Sequence, residues 1–293
     1  IANVFGLRGI RLMVDEAALQ PVHVFVQVPS CVPSAPGFET PGASISAQDV
    51  QEAITWPGVI GLGEVMNFPG VFQGDELMHQ EIAITRKAGK IVGGHYASQD
   101  LGRPFHAYAA GGPQDDHEGT RVEDAISRAR QGMRVMMRYG SAWQDVAEQV
   151  KAITEHNLDP RMFLLCTDDS HAQTLVAEGH MDRVLRHAIS QGLDPIHAIQ
   201  MMTINTAEYF GVSRDLGMIA PGRWGDIVLV RDLHVFEVDM VIAKGVLVFE
   251  AGSITIDLPQ VQRPEWVLNS VHIPKDVTVG DFRLVTDSGK VKA

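Results

Sequence analysis

The sequence predicts an α/β protein with a parallel β/α architecture, followed by a shorter antiparallel β region. Two observations carry this prediction. Up to about residue 210, short apolar runs alternate with longer helical segments, which is typical of βα units and a parallel sheet. From "GMIAPGRWGDIVLVRD" to "VIAKGVLVFEAGSI" the apolar runs become short, alternating and separated by turns, which favours antiparallel β-structure.

The elements of the parallel region follow in chain order. The predicted strands are "VHVFVQVPSC", "GVIGLGEVMN", "KIVGGHY", the end of the "DDHEG" turn, "MRVMMRYGSA" and "RMFLLCTDDSH". Helical periodicity is found in "ISAQDVQEAITW", "DELMHQEIAITRKAG", "VEDAISRARQG" and "WQDVAEQVKAITEH", and "IHAIQMMTINTAEYFG" is predicted as one further helix. These elements make about six βα units, whereas eight would close a barrel.

Composition narrows the class of partner. The net charge of −12 argues against binding nucleic acid or an anionic membrane, so a small molecule is the expected partner. With two cysteines there is no disulfide framework, which predicts a reducing cytoplasm. No apolar run approaches the roughly 20 residues that a membrane span needs, and no signal peptide opens the sequence.

Polar side chains occur where the predicted parallel strands end. In a parallel barrel the reacting groups lie at the carboxyl ends of the strands, so these positions are the candidate site. Carboxylates and imidazoles contributed by several strand ends form a hard-donor set that suits a divalent metal ion. The candidate residues are Ser30, Glu64, His95, His117, Glu118, Arg138, Asp168 and Asp169.

Most of these residues also have an ordinary structural interpretation. Glu64 suits a helix cap, and His95 suits a core histidine bonded to backbone. His117 suits a solvated acidic turn, and Arg138 suits an ion pair at the barrel rim. Asp168 is harder to explain in this way, because the preceding "FLLC" directs it out of the core. Taken together, the strand-end positions favour a metal site.

The adjacent aspartates at the end of "FLLCTDDSH" raise an electrostatic question, because burying an unpaired carboxylate is costly. A divalent ion would neutralise Asp168 and would lower the pKa of a bound water towards 7. Asp168 could then take the proton of that water as a general base. Asp169 could accept a hydrogen bond from an N–H group of the substrate.

The motifs resemble those of the amidohydrolase superfamily and, within it, the adenine deaminase family. The superfamily is indicated by "TDD" after an apolar strand, by "TINTAEYFG" and by "GMIAPGRWGDIVLV". The narrower resemblance rests on motifs that occur in the order of the family: "SCVPS", "GLGEVMNFPG", "GGHY", "DDHEG", "MMRYGSA", "LLCTDDSH" and "AEGHMD". It extends from about Asn3 to Leu258.

The resemblance implies a (β/α)8 TIM barrel of amidohydrolase type with a small β-sandwich domain. We therefore expect a partial barrel over residues 1–215, part of the sandwich over 216–258 and a truncated C-terminal segment over 259–293. It also implies hydrolysis of adenine to hypoxanthine and ammonia by a metal-bound hydroxide, with a binuclear centre of Mn, Fe or Zn. The implied metal ligands are Glu64, His95, His117 and Asp168, the catalytic residues Asp168 and Glu118, and the substrate contacts Ser30, Arg138 and Asp169.

The sequence departs from the family pattern at its start. It lacks the H-x-H pair and the "DPHE" stretch of the first two barrel strands, and it begins with Ile1 rather than Met. We therefore expect an N-terminally truncated fragment that is short of two imidazoles and prone to form homo-oligomers through open sheet edges. Without those imidazoles the chain alone is either active with an incomplete ligand set or inactive. Two alternatives remain, namely another cyclic amidohydrolase or aminohydrolase and a non-catalytic remnant that binds or assembles only.

Overall fold

The computed structural model describes residues 1–270 and 272–283. The chain comprises two compact units, Ile1–Pro259 and Gln260–Ala293. Within the described part of the second unit lie the short helix α13, Glu265–Leu268, and a 3-10 turn, Val279–Phe282. The end of the predicted C-terminal segment lies outside the described residues.

The first unit contains six parallel strands, arranged as two three-stranded sheets in the orders β1-β2-β3 and β4-β5-β6. The strands are β1 Val26–Pro29, β2 Val59–Val65, β3 Ile91–Gly94, β4 Asp115–Asp116, β5 Arg134–Arg138 and β6 Phe163–Cys166. The two sheets are joined where the Gln114 N–H donates to the Val92 carbonyl at 2.9 Å. The carboxyl ends of neighbouring strands therefore lie along a common edge.

Helices follow most of the strands, as the alternating pattern predicts. They are α1 Ala2–Ala18, α2 Ala47–Ala53, α3 Phe68–Gln73, α4 Glu76–Lys87, α5 Arg103–Gly111, α6 Val122–Arg130, α7 Val146–Gln149, α8 Lys151–Thr154, α9 Ala172–Ala177, α10 Met181–Ser190, α11 Pro195–Met202 and α12 Ile204–Tyr209. Side-chain hydrogen bonds cap the N-termini of several of these helices. The Asp75 carboxylate, for example, accepts from the Met78 N–H at 2.9 Å and begins α4. Within the described residues, no helix has both the length and the apolar character needed to cross a membrane.

The prediction of one helix over "IHAIQMMTINTAEYFG" is wrong, because the segment breaks into α11 and α12 at Thr203. The backbone of Thr203 is non-helical, with φ −112° and ψ −89°. Its hydroxyl bonds back to the Ile199 carbonyl at 2.6 Å, which competes with regular helix bonding. Just after the break, the buried Asn205 amide donates to the carbonyls of Pro160 and Phe163 at 3.0 and 3.2 Å. The change of direction thus ties α12 to the start of β6.

The antiparallel region forms a four-stranded sheet in the order β10-β9-β8-β7. Its strands are β7 Ile227–Val230, β8 Val238–Ala243, β9 Val246–Glu250 and β10 Ser253–Ile254. The β8–β9 hairpin turns at Lys244 and Gly245, which both have positive φ, 51° and 79°, as a tight two-residue hairpin turn requires. This agrees with the antiparallel structure expected from the sequence.

Two hydrophobic clusters support the parallel strands. One surrounds β1 to β3 and includes Val28, Leu62 and Val92, each fully buried. The other surrounds β5 and β6 and includes Val135 and Phe163. Polar side chains such as Glu64, Arg138 and Asp168 lie at or just after the carboxyl ends of the strands that these clusters support.

Glu81 on α4 provides a prediction about stability. Its side chain is fully buried, and neither carboxylate oxygen has a hydrogen-bond partner among the described residues. Burial, reinforced by the negative charge of Asp75, raises the pKa of Glu81 from 4.5 to about 8. The folded state therefore holds a proton that the unfolded state releases above pH 4.5, so the free energy of unfolding falls as pH rises towards 8.

We expect Glu81→Gln to remove most of this pH dependence. Each pKa unit is worth about 1.4 kcal/mol, so the loss in the unmodified protein is on the order of 5 kcal/mol between pH 4.5 and 8. Urea unfolding at several pH values measures it. The exposed Glu52 on α2 provides the control Glu52→Gln, which should preserve the slope. An equal slope in both variants would contradict the assignment.

Candidate metal centre

The structure gathers most of the predicted site residues at one edge of the parallel strands. Glu64 belongs to the end of β2, and His95 directly follows β3. His117 and Glu118 directly follow β4. The remaining predicted residues also lie at the carboxyl ends of strands. Arg138 ends β5, Asp168 and Asp169 come shortly after β6, and Ser30 directly follows β1.

Glu64, His95 and His117 form the tightest group. Oε2 of Glu64 lies 2.7 Å from Nδ1 of His95 and 2.7 Å from Nε2 of His117. One donor atom from each residue lies within 4.8 Å of the others, a spacing that suits ligands of one ion. Carboxylate and imidazole donors fit Zn, Mn or Fe, so the residues present fit a divalent metal.

Glu64 and His117 form an ion pair that shifts the pKa of both side chains. Burial opposes the charge on Glu64, but hydrogen bonds from His117 and His95 lower its pKa to about 2. Burial likewise opposes the charge on His117, but Glu64 raises its pKa to about 9. With a pKa of about 9, the imidazole of His117 is protonated at neutral pH in the metal-free chain, so a metal ion must displace that proton before His117 can serve as a ligand.

A second group shares His117 with the first. It consists of His117, Glu118 and Asp168, whose donor atoms also lie within 4.8 Å of one another. Oε1 of Glu118 lies 3.5 Å from Nε2 of His117 and 3.7 Å from Nδ1 of His95. The buried Arg138 contacts both carboxylates, with Nη1 2.9 Å from Oδ2 of Asp168 and hydrogen-bonded to Glu118. His117 is thus the side chain that links the two groups.

Asp168 occupies an uncommon backbone conformation. Its φ is +58°, in the left-handed region that aspartate tolerates better than most residues. Its Oδ1 accepts a hydrogen bond from the Asp169 N–H at 2.6 Å, which fixes the carboxylate relative to the turn. The loop after β5 approaches closely, since a Cβ on Gly140 would lie 2.6 Å from the carbonyl oxygens of Thr167 and Asp169. Glycine is therefore required where the two loops meet.

Ser30 and Asp169 belong to neither ligand group of the described residues. The Ser30 hydroxyl donates to the backbone carbonyl of Glu64 at 2.5 Å and lies 3.3 Å from Sγ of Cys31. Asp169 is exposed, and its carbonyl accepts from the Ser141 N–H at 2.9 Å. Ser30 therefore supports the backbone of a ligand, whereas the side chain of Asp169 remains accessible.

Two buried aspartates, Asp115 and Asp116, form the strand β4 that precedes His117, and neither was among the site residues predicted from the sequence. Asp115 accepts from the Gly94 N–H at 2.9 Å and from the Tyr209 hydroxyl. Asp116 accepts from the N–H groups of Tyr96 and Glu118, both at 2.6 Å, and lies 3.2 Å from Nε of Arg128. Burial raises the pKa of Asp115 to about 6. The sequence signal that could have identified Asp115 and Asp116 was their position directly before "HEG" at the end of a strand.

An open cavity of about 710 Å³ adjoins the site. Glu64, His117 and Asp168 contribute to its wall, together with apolar side chains such as Val32 and Met66. Small-molecule pockets are commonly about 300–1,000 Å³, so the space suits a substrate of that class.

A parallel α/β framework with histidines and carboxylates at its strand ends defines a candidate metal-dependent hydrolase. A profile of the amidohydrolase family matches residues 1–248, and the chain belongs to this family.

Named relatives are similar over nearly the whole chain. It is 59% identical over 289 residues to "Adenine deaminase" of Mesorhizobium japonicum, covering 99% of this chain and 48% of that protein. It is 62% identical over 282 residues to "Adenine deaminase 3" of Rhizobium meliloti, covering 96% of this chain and 47% of that protein. The chain thus spans about half the length of the curated relatives that it matches.

Among solved structures, the fold is similar to that of the β-aspartyl dipeptidase of Fervidobacterium islandicum AW-1. The TM-score is 0.61 at 16% identity, covering 85% of this chain and 71% of the other. At this identity the similarity concerns the fold, which is of the TIM-barrel type shared by the superfamily.

Proposed function

We propose that this chain is part of a metal-dependent enzyme that hydrolyses adenine to hypoxanthine and ammonia. The observation that carries the proposal is the group of Glu64, His95 and His117, with Asp168 contributing to the same cavity wall. The named relatives at 59% and 62% identity support adenine as the substrate.

The proposal includes the domain organisation expected from the sequence. Residues 1–215 would be about six of the eight barrel units, residues 216–258 part of a β-sandwich, and 259–293 a C-terminal segment. The four-stranded sheet supports the sandwich, because Val228 and Val246 are about half exposed, at 51% and 53%. Such apolar side chains are typical of a sheet face that packs on a second sheet. We also retain a cytoplasmic location and self-association as predictions.

Metal binding is the first chemical element of the proposal. Glu64, His95 and His117 would hold one divalent ion, and Asp168, which lies with His117 and Glu118 in the second group, would contribute to a second. Mn, Fe and Zn all suit these donors. When bound, the ion lowers the pKa of water and stabilises developing negative charge.

The remaining steps are proton transfers and substrate contacts of this chain. Asp168 would accept the proton of the attacking water on a carboxylate oxygen and pass it to the leaving ammonia. Glu118, close to both imidazoles, would act as a second acid or base or orient the purine. The family resemblance implies Ser30, Arg138 and Asp169 as substrate contacts. Of these, Asp169 is the contact that we propose, because its exposed carboxylate suits an N–H donor of the purine.

Activity is tested by loading the chain with Mn, Fe or Zn and measuring ammonia release from adenine, other purines and cyclic amides. We expect adenine to be the preferred substrate. Preference for a cyclic amide would instead support another amidohydrolase, because the metal ligands of the two classes are shared and the pocket differs. A folded chain that neither binds metal nor turns over any of these substrates would favour the non-catalytic alternative.

Metal binding itself gives a second prediction. We expect Glu64→Gln to weaken the binding of Zn or Mn by at least about tenfold, because the amide lacks the charge that meets both imidazoles. Isothermal titration of the metal-free chain measures this. The exposed Glu123 on α6 offers the control Glu123→Gln, for which we expect unchanged affinity. Equal affinities in the two variants would remove Glu64 from the ligand set.

A further inference from the structure

Arg138 is buried among acidic groups. It is 2% exposed, and its guanidinium contacts the carboxylates of Glu118, Asp168 and Asp145. Arg138 ends β5, the middle strand of the β4-β5-β6 sheet, so its side chain can reach residues that follow the strand on each side. Glu118 follows β4 and Asp168 follows β6. One nitrogen, Nη1, bonds to both of them.

The loop after β5 folds back onto the same arginine. The Asp145 N–H donates to the Arg138 carbonyl at 3.0 Å, and Oδ2 of Asp145 accepts from Nε of Arg138 at 2.7 Å. The ring of Trp143 lies 5.1 Å from the guanidinium carbon. A turn in which the Gly140 N–H donates to the Trp143 carbonyl at 2.8 Å brings both residues into place. The loop thus fixes the guanidinium plane.

Asp145 is positioned as the N-cap of α7, but its side chain makes no capping hydrogen bond. Its recorded side-chain bond goes to Arg138 instead. The backbone of Asp145 is helical, with φ −94° and ψ −5°, so its side chain is not placed to cap α7 and is available to pair with Arg138. Arginine suits this arrangement because its planar fork offers separate donors to separate carboxylates, which a lysine ammonium does not.

We propose that Asp145 is a positioning residue that, through Arg138, sets the spacing between Glu118 and Asp168 in the metal centre. By this proposal Arg138 acts on the two carboxylates rather than on the purine. The proposal rests on the proposed function only for its kinetic consequence. The three carboxylates exceed the one guanidinium in charge, so the cluster retains negative charge for a cation.

Asp145→Asn tests the proposal, with Asp159→Asn as a matched control. Asp159 forms an exposed ion pair with Arg161, so its variant removes the same chemical contact away from the strand ends. We expect Asp145→Asn to weaken Zn or Mn binding, measured by isothermal titration, by about 10–100-fold, as is typical for partners of metal ligands. Asp145→Glu should restore part of the affinity. Circular dichroism establishes that each variant is folded.

Kinetics distinguish positioning from substrate contact. We expect Asp145→Asn to lower kcat for adenine by about 10–100-fold while KM changes less than about threefold. A rise in KM alone, or a metal affinity equal to that of Asp159→Asn, would overturn the proposal. If the unmodified, metal-loaded chain does not turn over adenine, the proposed function fails, and the metal titration still decides the role of Asp145.

Discussion

Replacing Asp168 with asparagine is expected to lower ammonia release from adenine by about 10²–10⁴-fold, the range typical for loss of a general acid or base. The substituted amide would keep the shape of the side chain and could still accept a hydrogen bond from Arg138 through its carbonyl oxygen. It cannot accept a proton from water at neutral pH. Steady-state kinetics on the metal-loaded chain measure the effect, which should fall on kcat.

The control for this variant is Asp257→Asn, which changes an exposed aspartate in the segment after β10. It should leave kcat and KM unchanged. Metal content of Asp168→Asn must be measured alongside, because lost metal and a lost base both lower kcat. If Asp168→Asn releases ammonia at the same rate as the unmodified chain, Asp168 is not the proton carrier.

Arg128 on α6 is a buried charge whose removal is expected to have a large effect on stability. Its side chain is fully buried, lies 3.2 Å from Asp116 and donates to the Tyr96 carbonyl at 3.2 Å. Arg128→Met should lower the free energy of unfolding by about 3–5 kcal/mol, because the buried Asp116 then loses its charge partner. Urea unfolding at neutral pH measures the change.

Two further variants identify the cause. Arg130→Met changes an exposed arginine on the same helix and should cost little. Combining Arg128→Met with Asp116→Asn should recover part of the loss, since no unpaired charge stays buried. If the double variant is less stable than the sum of the single changes, lost packing rather than an unpaired charge explains the effect.

The location of the candidate site could be predicted from the sequence because it depends on one geometric rule. Parallel strands bring their carboxyl ends to one edge, so residues far apart in sequence, such as Glu64 and His117, are expected to meet. Local patterns also indicated most strands and several helix ends. The relative orientation of the side chains depends on packing between distant segments, so the sequence could not place Ser30 on the backbone of Glu64.

The supporting groups were not predictable for the same reason. Asp115 bonds to Tyr209, which is 94 residues away in the chain, and no local pattern encodes that pairing. The helix break at Thr203 depends on where the buried Asn205 finds acceptors. Arg138 was expected at the purine from the family resemblance, and an ion pair at the barrel rim was its alternative interpretation. The identity of its three partners, Glu118, Asp168 and Asp145, became evident only from the structure.

Because the parallel strands form two sheets, the ligands of the metal centre come from both of them. Glu64 and His95 extend from β2 and β3 of one sheet, whereas His117 extends from β4 of the other, a strand of two residues. An ion bound by all three side chains would link the two sheets. Because the ion binds only when the two sheets are in contact, metal binding stabilises the folded state, and metal loading would raise the melting temperature of the chain.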